Sequence, residues 1–375
     1  MKIGILGGGQ LGRMLVQAAI PLDIDISVMD KSVDFPTPDI WPYFQEGDFT
    51  NYDHVMEFGR TVDVLTIEIE SVNVEALYDL EREGKVIFPQ PRLLDIIADK
   101  GLQKNFYKEH DLPTSSFILC DGSEIKDKIV SGEVTFPFVQ KVRKGGYDGR
   151  GVQVVFSEAD LEKLLSGLSV VEKMVDIQKE IAVIVCRGMD GQMSHFPVVE
   201  MSFHPTANLV EFLFSPSTLP SEKQKEAIEI SRGIADKMGI YGLLAVELFE
   251  DADGNILINE VAPRPHNSGH HTIEACITSQ YEQLIRVLSG FPQGDTDLIQ
   301  PTVMINLLGE DGFAGIPVFE GLGEVLGMKG VYPHIYGKTT TKPFRKMGHV
   351  TVMNQRLDEA INLAQKVKEI LKVKA

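Results

Sequence analysis

The sequence predicts an α/β protein: a parallel sheet with helices on its faces over the first hundred residues, then α+β structure rich in antiparallel strand. Three observations carry this reading. Short apolar runs alternate with amphipathic stretches up to about residue 98, the βαβ rhythm of a parallel sheet. Strand-like runs dominate from 180 to 214. Further on, the turn sequence Asp251-Ala252-Asp253-Gly254 joins two apolar runs as a hairpin would.

In chain order, strands are expected at 2–6, 25–29 and 62–67, with helices at 11–19, 52–58 and 74–83. Pro36, Pro38 and Pro42 mark a loop in this rhythm. A helix over 99–110 ends at Leu112-Pro113-Thr114, and strands follow at 116–119, 138–141, 151–156 and 170–175, around two helices. The helix over 221–238 is read as capped by Ser221 and stopped by Gly239. Strands at 242–249 and 255–261 flank the acidic turn. A tail with strands near 302–308 and 347–353 closes on an amphipathic helix with Leu357, Ile361, Ala364, Val367 and Leu371 on one face. A length of 375 residues suits two or three domains, and the pattern divides into segments 1–98, 99–175, 176–300 and 301–375.

The chain is 43% hydrophobic and 24% charged, which excludes disorder and low-complexity classes. Its 54 acidic and 36 basic residues give a formal charge of −18. That field repels nucleic acid and anionic membrane, leaving small-molecule substrates held in a locally basic pocket. Cys120, Cys186 and Cys276 form no CxxC pair and read as buried apolar side chains. The N-terminal apolar run is too short for a signal-peptide core, and no stretch suits a membrane span. A cytoplasmic location is expected.

Gly7-Gly8-Gly9-Gln10-Leu11-Gly12 follows a strand and opens a helix, and Asp30 ends the next strand. This is the context of dinucleotide binding, though a tight glycine turn kept for packing, or another phosphate, explains it equally well. A second loop, residues 141–151, packs Lys141, Arg143, Lys144 and Arg150 among four glycines. In so acidic a chain this local inversion of charge suits phosphates gripped by a hairpin's N–H groups.

Glu247 and Glu260 interrupt two otherwise apolar strands. With the turn centred between Ala252 and Asp253, residue 245 opposes 260, and the period of two puts both carboxylates on one face, diagonally adjacent. Like charges there call for a cation, and hard oxygens select magnesium completed by phosphates and water. Pairing with nearby Arg or Lys is the alternative. Then comes Ala262-Pro263-Arg264-Pro265-His266-Asn267-Ser268-Gly269-His270-His271. Pro265 and Gly269 break any helix that would pair His266 with His270 on zinc. A rigid polar loop beside a metal site suits substrate contacts instead, with Arg264 stabilising developing negative charge.

Together these features resemble the ATP-grasp superfamily and, within it, the family of 5-(carboxyamino)imidazole ribonucleotide synthetases of purine biosynthesis. The matching segments span nearly the whole chain: GGGQLGRML at 7–15, RKGGYDGRGV at 143–152, EKMV at 172–175, INEVAPRPHNSGH at 258–270, VMINLLG at 303–309 and FRKMGHV at 344–350. The resemblance implies an ATP-grasp fold: an N-terminal Rossmann-like domain, a lid, a larger domain, and a C-terminal subdomain packed on the larger one. ATP would lie between lid and larger domain, its phosphates on Lys100 and Lys141. Gly146, Tyr147, Asp148, Gly149, Arg150, Gly151 and Val152 would form the closing loop. Glu172, Lys173, Met174 and Val175 would form the adenine hinge, Glu180 would hold the ribose, and His204, Asn259 and Glu260 would complete the nucleotide site. Glu247 and Glu260 would bind magnesium, or manganese in its place.

The implied reaction carboxylates the exocyclic amine of aminoimidazole ribonucleotide with ATP and bicarbonate, through carboxyphosphate. Tyr147, Asp148, Arg264 and His266 would surround that intermediate, with Asp148 assisting amine deprotonation. Gln10, Glu68, Asn267, Lys338, Arg345 and Lys346 would bind the ribotide, and a homodimer is expected. Two departures stand out. Ala262 occupies a position where the wider superfamily often has Asn, which agrees with this subgroup and disfavours peptide-type ligases. The family segment T-x-E-F-E-N-V reads Thr66-Ile67-Glu68-Ile69-Glu70-Ser71-Val72, keeping the carboxylates but not the aromatic or the Asn.

A nicotinamide oxidoreductase built on the first loop and Asp30 leaves the cationic loop and acidic hairpin unused. An ATP-grasp enzyme acting on another amine, such as the formate-dependent glycinamide ribonucleotide transformylase, fits the HNSGH block and short tail less well. A non-enzymatic binding protein on the same fold would have damaged metal or phosphate residues, and Lys141, Glu247 and Glu260 are all present.

Overall fold

Residues 1–146, 151–203 and 209–375 are described by the computed structural model. The first unit is a five-stranded parallel sheet in the order Phe44–Glu46, Asp25–Asp30, Lys2–Leu6, Val64–Ile67, Val86–Phe88. Its strands are buried on both faces, as crossover helices require: Ile3, Ile5, Ile26, Val28 and Leu65 are fully enclosed. The sequence reading missed the two outer strands, each three residues long. Helices start where side chains can satisfy the free N–H groups: Asn51 accepts from His54 N, Asn73 from Ala76 N, and Asp99 from Gly101 N and Leu102 N.

The next unit is a four-stranded antiparallel sheet in the order Phe117–Asp121, Leu168–Lys173, Phe138–Val142, Val152–Val155. The hairpin Phe138–Val142/Val152–Val155 carries the cationic loop at its tip, with Lys141 paired to Val152. Of the two helices expected here, Ile125–Val130 forms and Glu158–Lys163 is a tighter 3-10 segment.

Among the described residues the third sheet has nine strands. Its path runs Ile256–Ala262, Gly242–Asp251, Ile177–Arg187, Val199–Phe203, Val210–Ser215, Thr302–Leu308, Lys346–Met353, Val331–Ile335, with Met193–His195 against Ile177–Arg187. The tail strands therefore extend the larger domain's sheet through Thr302–Leu308, and helix Leu357–Ile370 covers that end with Ala360, Ala364 and Val367.

Helix Ser221–Met238 ends at Gly239 in the left-handed region (φ 62°), as expected. Its start differs: Pro220 is the cap residue and Ser221 the first helical residue, with no side-chain cap. Helix Gln10–Ala19 packs against helix Gln280–Leu288, and Leu15, Leu284 and Leu288 belong to one cluster, so the first unit sits on the third within one apolar core. All three cysteines are free and buried; burial pushes the Cys276 thiol up to about 12, out of the range of a reactive thiolate. Among the described residues no helix is long and apolar enough to cross a membrane.

Candidate active site

The acidic hairpin is built as its sequence demands, with one refinement. Glu247 pairs directly with Glu260, rather than diagonally, because a bulge shifts the register between Glu247 and Leu248 and the turn lies closer to the second strand than expected. The two displacements sum to two residues, so the shared face survives. Asn259 fills the bulge, and its amide lies 3.5 Å from Glu247 Oε2.

Three lysines meet Glu260 and Glu172 over a small cavity lined by Lys100, Gln103, Lys104, Lys141, Glu172, Asn259 and Glu260. Lys100 pairs with Glu260. Lys141 Nζ donates to Asn259 Oδ1 at 3.0 Å and stands 3.0 Å from Glu172 Oε2. Lys104 Nζ is 2.8 Å from Glu172 Oε1 and donates to Thr114 Oγ1 and Ser115 Oγ at 2.6 and 3.0 Å. Burial opposes ionisation of Glu172, but Lys141 and Lys104 outweigh it and hold the carboxyl down at about 2. Sequence reasoning missed Lys104, although it follows Lys100 by one helical turn and so shares its face. Arg143, one of the four cations of the loop, is committed elsewhere: it grips Asp99 with two bonds of 2.7 and 2.8 Å, fixing the loop's base to the start of helix Lys100–Glu109.

Glu247 and Glu260, paired on one face, are the donor chemistry a divalent cation takes. Burial, then the charges of Glu260 and Glu180, push Glu247 well above the ordinary carboxyl range, the repulsion that a cation between the two would relieve. Burial also opposes ionisation of Glu260, yet Lys100 outweighs it and keeps that carboxyl below its ordinary range. Among the described residues no three His, Cys, Asp or Glu cluster as a metal cage; two carboxylates finished by phosphate and water are magnesium's usual company.

Glu172 presents its side chain to the lysines, leaving only backbone for a hinge. Lys173 N already donates to Ser116 O and Met174 N to Pro137 O, while Lys173 is exposed and Val175 half-buried. Glu180 stands on strand Ile177–Arg187 and is pushed up to about 7 by burial, with Lys141 opposing. Gly146, Gly151 and Val152 frame the cationic loop, and Gly151 has φ 76° with no room for a Cβ beside Val142. Tyr147, Asp148, Gly149, Arg150 and His204 lie outside the described residues.

The loop after the hairpin is held by Gln280, which accepts from His266 N and donates to His266 O. His266 Nε2 lies 3.3 Å from Glu247 Oε1, and its Nδ1 is 2.9 Å from Ser268 Oγ. Arg264 Nε lies 2.9 Å from Glu70 Oε1, joining this loop to the first domain. The Asn267 side-chain nitrogen is buried with no hydrogen-bond partner, a donor aimed at nothing the described residues supply. His270, His349 and His334 stack with centroids 4.6 and 4.4 Å apart. Burial keeps His270 and His349 neutral, and the stack seats the loop on the tail.

The first glycine loop is filled by the chain itself. Glu68 Oε1 accepts from Gly9 N at 2.9 Å, its Oε2 accepts from Gly12 N, and a Cβ at Gly7 or Gly9 would collide with Glu68. Asp30 is likewise turned inward and accepts from Gly8 N at 2.6 Å. The two groups a nicotinamide cofactor needs are thus spent on packing. Burial raises Glu68 from the ordinary 4.5 to about 6. The native state therefore holds the extra proton between those values, and this group's contribution to stability falls by at most about 2 kcal/mol as pH rises from 4.5 past 6. Urea unfolding at pH 4.5, 5.5, 6.5 and 7.5 should show wild type losing stability relative to Glu68→Gln; a pH-independent difference would overturn this account.

Gln10 begins helix Gln10–Ala19 beside this carboxylate. Lys338 Nζ donates to Lys346 O at 2.6 Å and lies over the Tyr336 ring. Arg345 turns back to Thr340, donating to its carbonyl and hydroxyl at 2.8 and 2.7 Å. Arg13, within the quoted 7–15 segment but given no role, reaches from the first domain to Gly337, where a Cβ would stand 2.8 Å from Arg13 Nη1. Arg13 thus meets the tail across the domain boundary at Gly337, the residue before Lys338.

The chain matches the ribonucleotide synthetase preATP-grasp domain over residues 1–98, the ATP-grasp domain over 105–281, and the phosphoribosylaminoimidazole carboxylase C-terminal domain over 302–363. It is 37% identical over 372 residues to a phosphoribosylaminoimidazole carboxylase of Candida albicans, covering 96% of this chain but only 65% of that longer protein. It is 35% identical to the N5-carboxyaminoimidazole ribonucleotide synthase of Bacillus subtilis, covering 96% of this chain and 93% of that one. The crystal structure of N5-carboxyaminoimidazole ribonucleotide synthetase from Thermotoga maritima superimposes with a TM-score of 0.91 at 38% identity, over 100% of this chain and 99% of the other.

Proposed function

The chain belongs to the N5-carboxyaminoimidazole ribonucleotide synthase family of ATP-grasp enzymes, and on that premise we propose that it carboxylates the exocyclic amine of 5-aminoimidazole ribonucleotide, using ATP and bicarbonate. The observation that carries the reading is the cavity lined by Lys100, Lys141 and Glu260, with Glu247 paired to Glu260 across the hairpin. ATP lies between the units split near residue 175, and the tail after 300 closes the ribotide side.

A bicarbonate oxygen attacks the γ-phosphorus and ADP leaves, giving carboxyphosphate. The amine nitrogen then bonds to the carboxyl carbon, phosphate departs, and the amine gives up a proton, which Asp148 accepts. Lys100 and Lys141 neutralise the phosphates against which bicarbonate, a weak nucleophile, must advance. Glu247 and Glu260 would hold magnesium, which when bound would spread the phosphate charge. Arg264, held by Glu70, and His266, beside Glu247, are the donors for the carboxyphosphate. The loop from Gly146 to Val152, with Tyr147, excludes water from an intermediate that hydrolyses readily. Glu180 and the 172–175 backbone hold the nucleoside. Asn267 supplies its unpartnered amide to the ribotide, and Lys338 and Lys346 its phosphate site. Cytoplasmic residence and a homodimer belong to the same proposal.

The test is ADP release from Mg-ATP and bicarbonate, with and without aminoimidazole ribonucleotide. Ribotide-stimulated release with stoichiometric acid-labile carbamate is expected. Release indifferent to the ribotide would reassign the amine, and no release from folded protein would end the proposal. Lys338→Ala should raise the ribotide KM about tenfold or more while changing the ATP KM less than about threefold. Equal changes in both would count against the phosphate placement.

A further inference from the structure

We propose that Lys104 is a positioning residue, which holds the Glu172 carboxylate so that Lys141 stays available as the surplus cation for the nucleotide's phosphates. Among the described charged side chains lining the cavity, Lys100 is matched by Glu260 and Lys104 by Glu172, leaving Lys141 as the positive charge in excess. Lys141 does touch Glu172 at 3.0 Å, but it shares that carboxylate with Lys104, which approaches the other oxygen at 2.8 Å. Lys104 is the better-anchored partner: it is 3% exposed, fixed by the Thr114 and Ser115 hydroxyls, and Thr114 is itself bonded to Ile258 O at 2.8 Å. Glu172 is 5% exposed and has no access to solvent cations.

A buried carboxylate must keep a counter-charge. With Lys104 present, Lys141 can turn from Glu172 to an incoming phosphate and leave a matched pair behind. Without Lys104, Lys141 becomes the only counter-ion of Glu172, and the surplus charge disappears. The effect of Lys104 is thus exerted through Glu172 and Lys141, without any contact to ATP.

The inference rests on the nucleotide reading above, and the experiment separates the two. Mg-ATP is titrated calorimetrically into the full-length wild type, Lys104→Met, and the double variant Lys104→Met/Glu172→Gln. Absence of binding to wild type would overturn the nucleotide reading itself. Given wild-type binding, Lys104→Met is expected to weaken ATP about tenfold or more, and removing the stranded charge in the double variant should restore affinity to within about threefold. A merely structural lysine would gain nothing from the second substitution, so equal weakness in both variants overturns the proposal, as does wild-type affinity in Lys104→Met. If Lys104→Met is too unstable to titrate, the double variant decides: affinity within about threefold of wild type supports the role, and a larger loss from folded protein refutes it.

Discussion

Glu260→Gln should lower ATP turnover by about 1,000-fold while Tm stays within about 4 °C of wild type. The substitution removes a charged oxygen from the proposed metal pair, which contributes several kcal/mol to phosphoryl transfer. The fold has a ready substitute for the lost charge. Burial and the charge of Glu260 raise the Glu247 carboxyl; once Glu260 is neutral, Glu247 ionises more readily and Lys100 retains an anion in its neighbourhood. Steady-state ADP release at saturating Mg-ATP, bicarbonate and ribotide, with a thermal melt alongside, checks both halves. Turnover within tenfold of wild type would remove Glu260 from the metal site.

The second large effect is expected at Lys141. Lys141→Met should reduce kcat by about 100- to 1,000-fold, the usual cost of one preorganised charge-stabilising donor, and raise the ATP KM as well. Stability should change little, because Glu172 keeps Lys104 at 2.8 Å and Asn259 keeps its contact with Glu247. A kcat within about fivefold of wild type would show that the phosphates are neutralised elsewhere.

The sequence made the chemistry of this cavity legible because strand periodicity is unforgiving. Two glutamates in apolar strands must share a face or oppose one another, and the shared face held because the unseen bulge at Asn259 and the one-residue shift of the turn compensate. Lys141 could be read from its place at the mouth of a glycine-rich hairpin. Lys104 could not be singled out, because one lysine among several on an amphipathic helix looks like a solvated residue until Glu172 is seen to lie against it. The same holds for Arg13, whose significance depends on Gly337, more than three hundred residues away. Short edge strands such as Phe44–Glu46 and Val318–Glu320 escaped because three residues are too few to display a period. Ser221 misled because serine before a helical pattern reads as a cap, while Pro220 already fixes the entry geometry.

The first glycine loop carries a consequence for selectivity inside a cell crowded with dinucleotides. Its N–H groups are oriented as an anion receptor, yet the receptor is satisfied by a tethered carboxylate at an effective concentration no free metabolite reaches. A pyrophosphate would have to evict Glu68 into solvent and find Asp30 already engaged. The enzyme thereby carries the signature of a nicotinamide protein while remaining deaf to the pool of such cofactors, and inhibitors that mimic them would find no seat there.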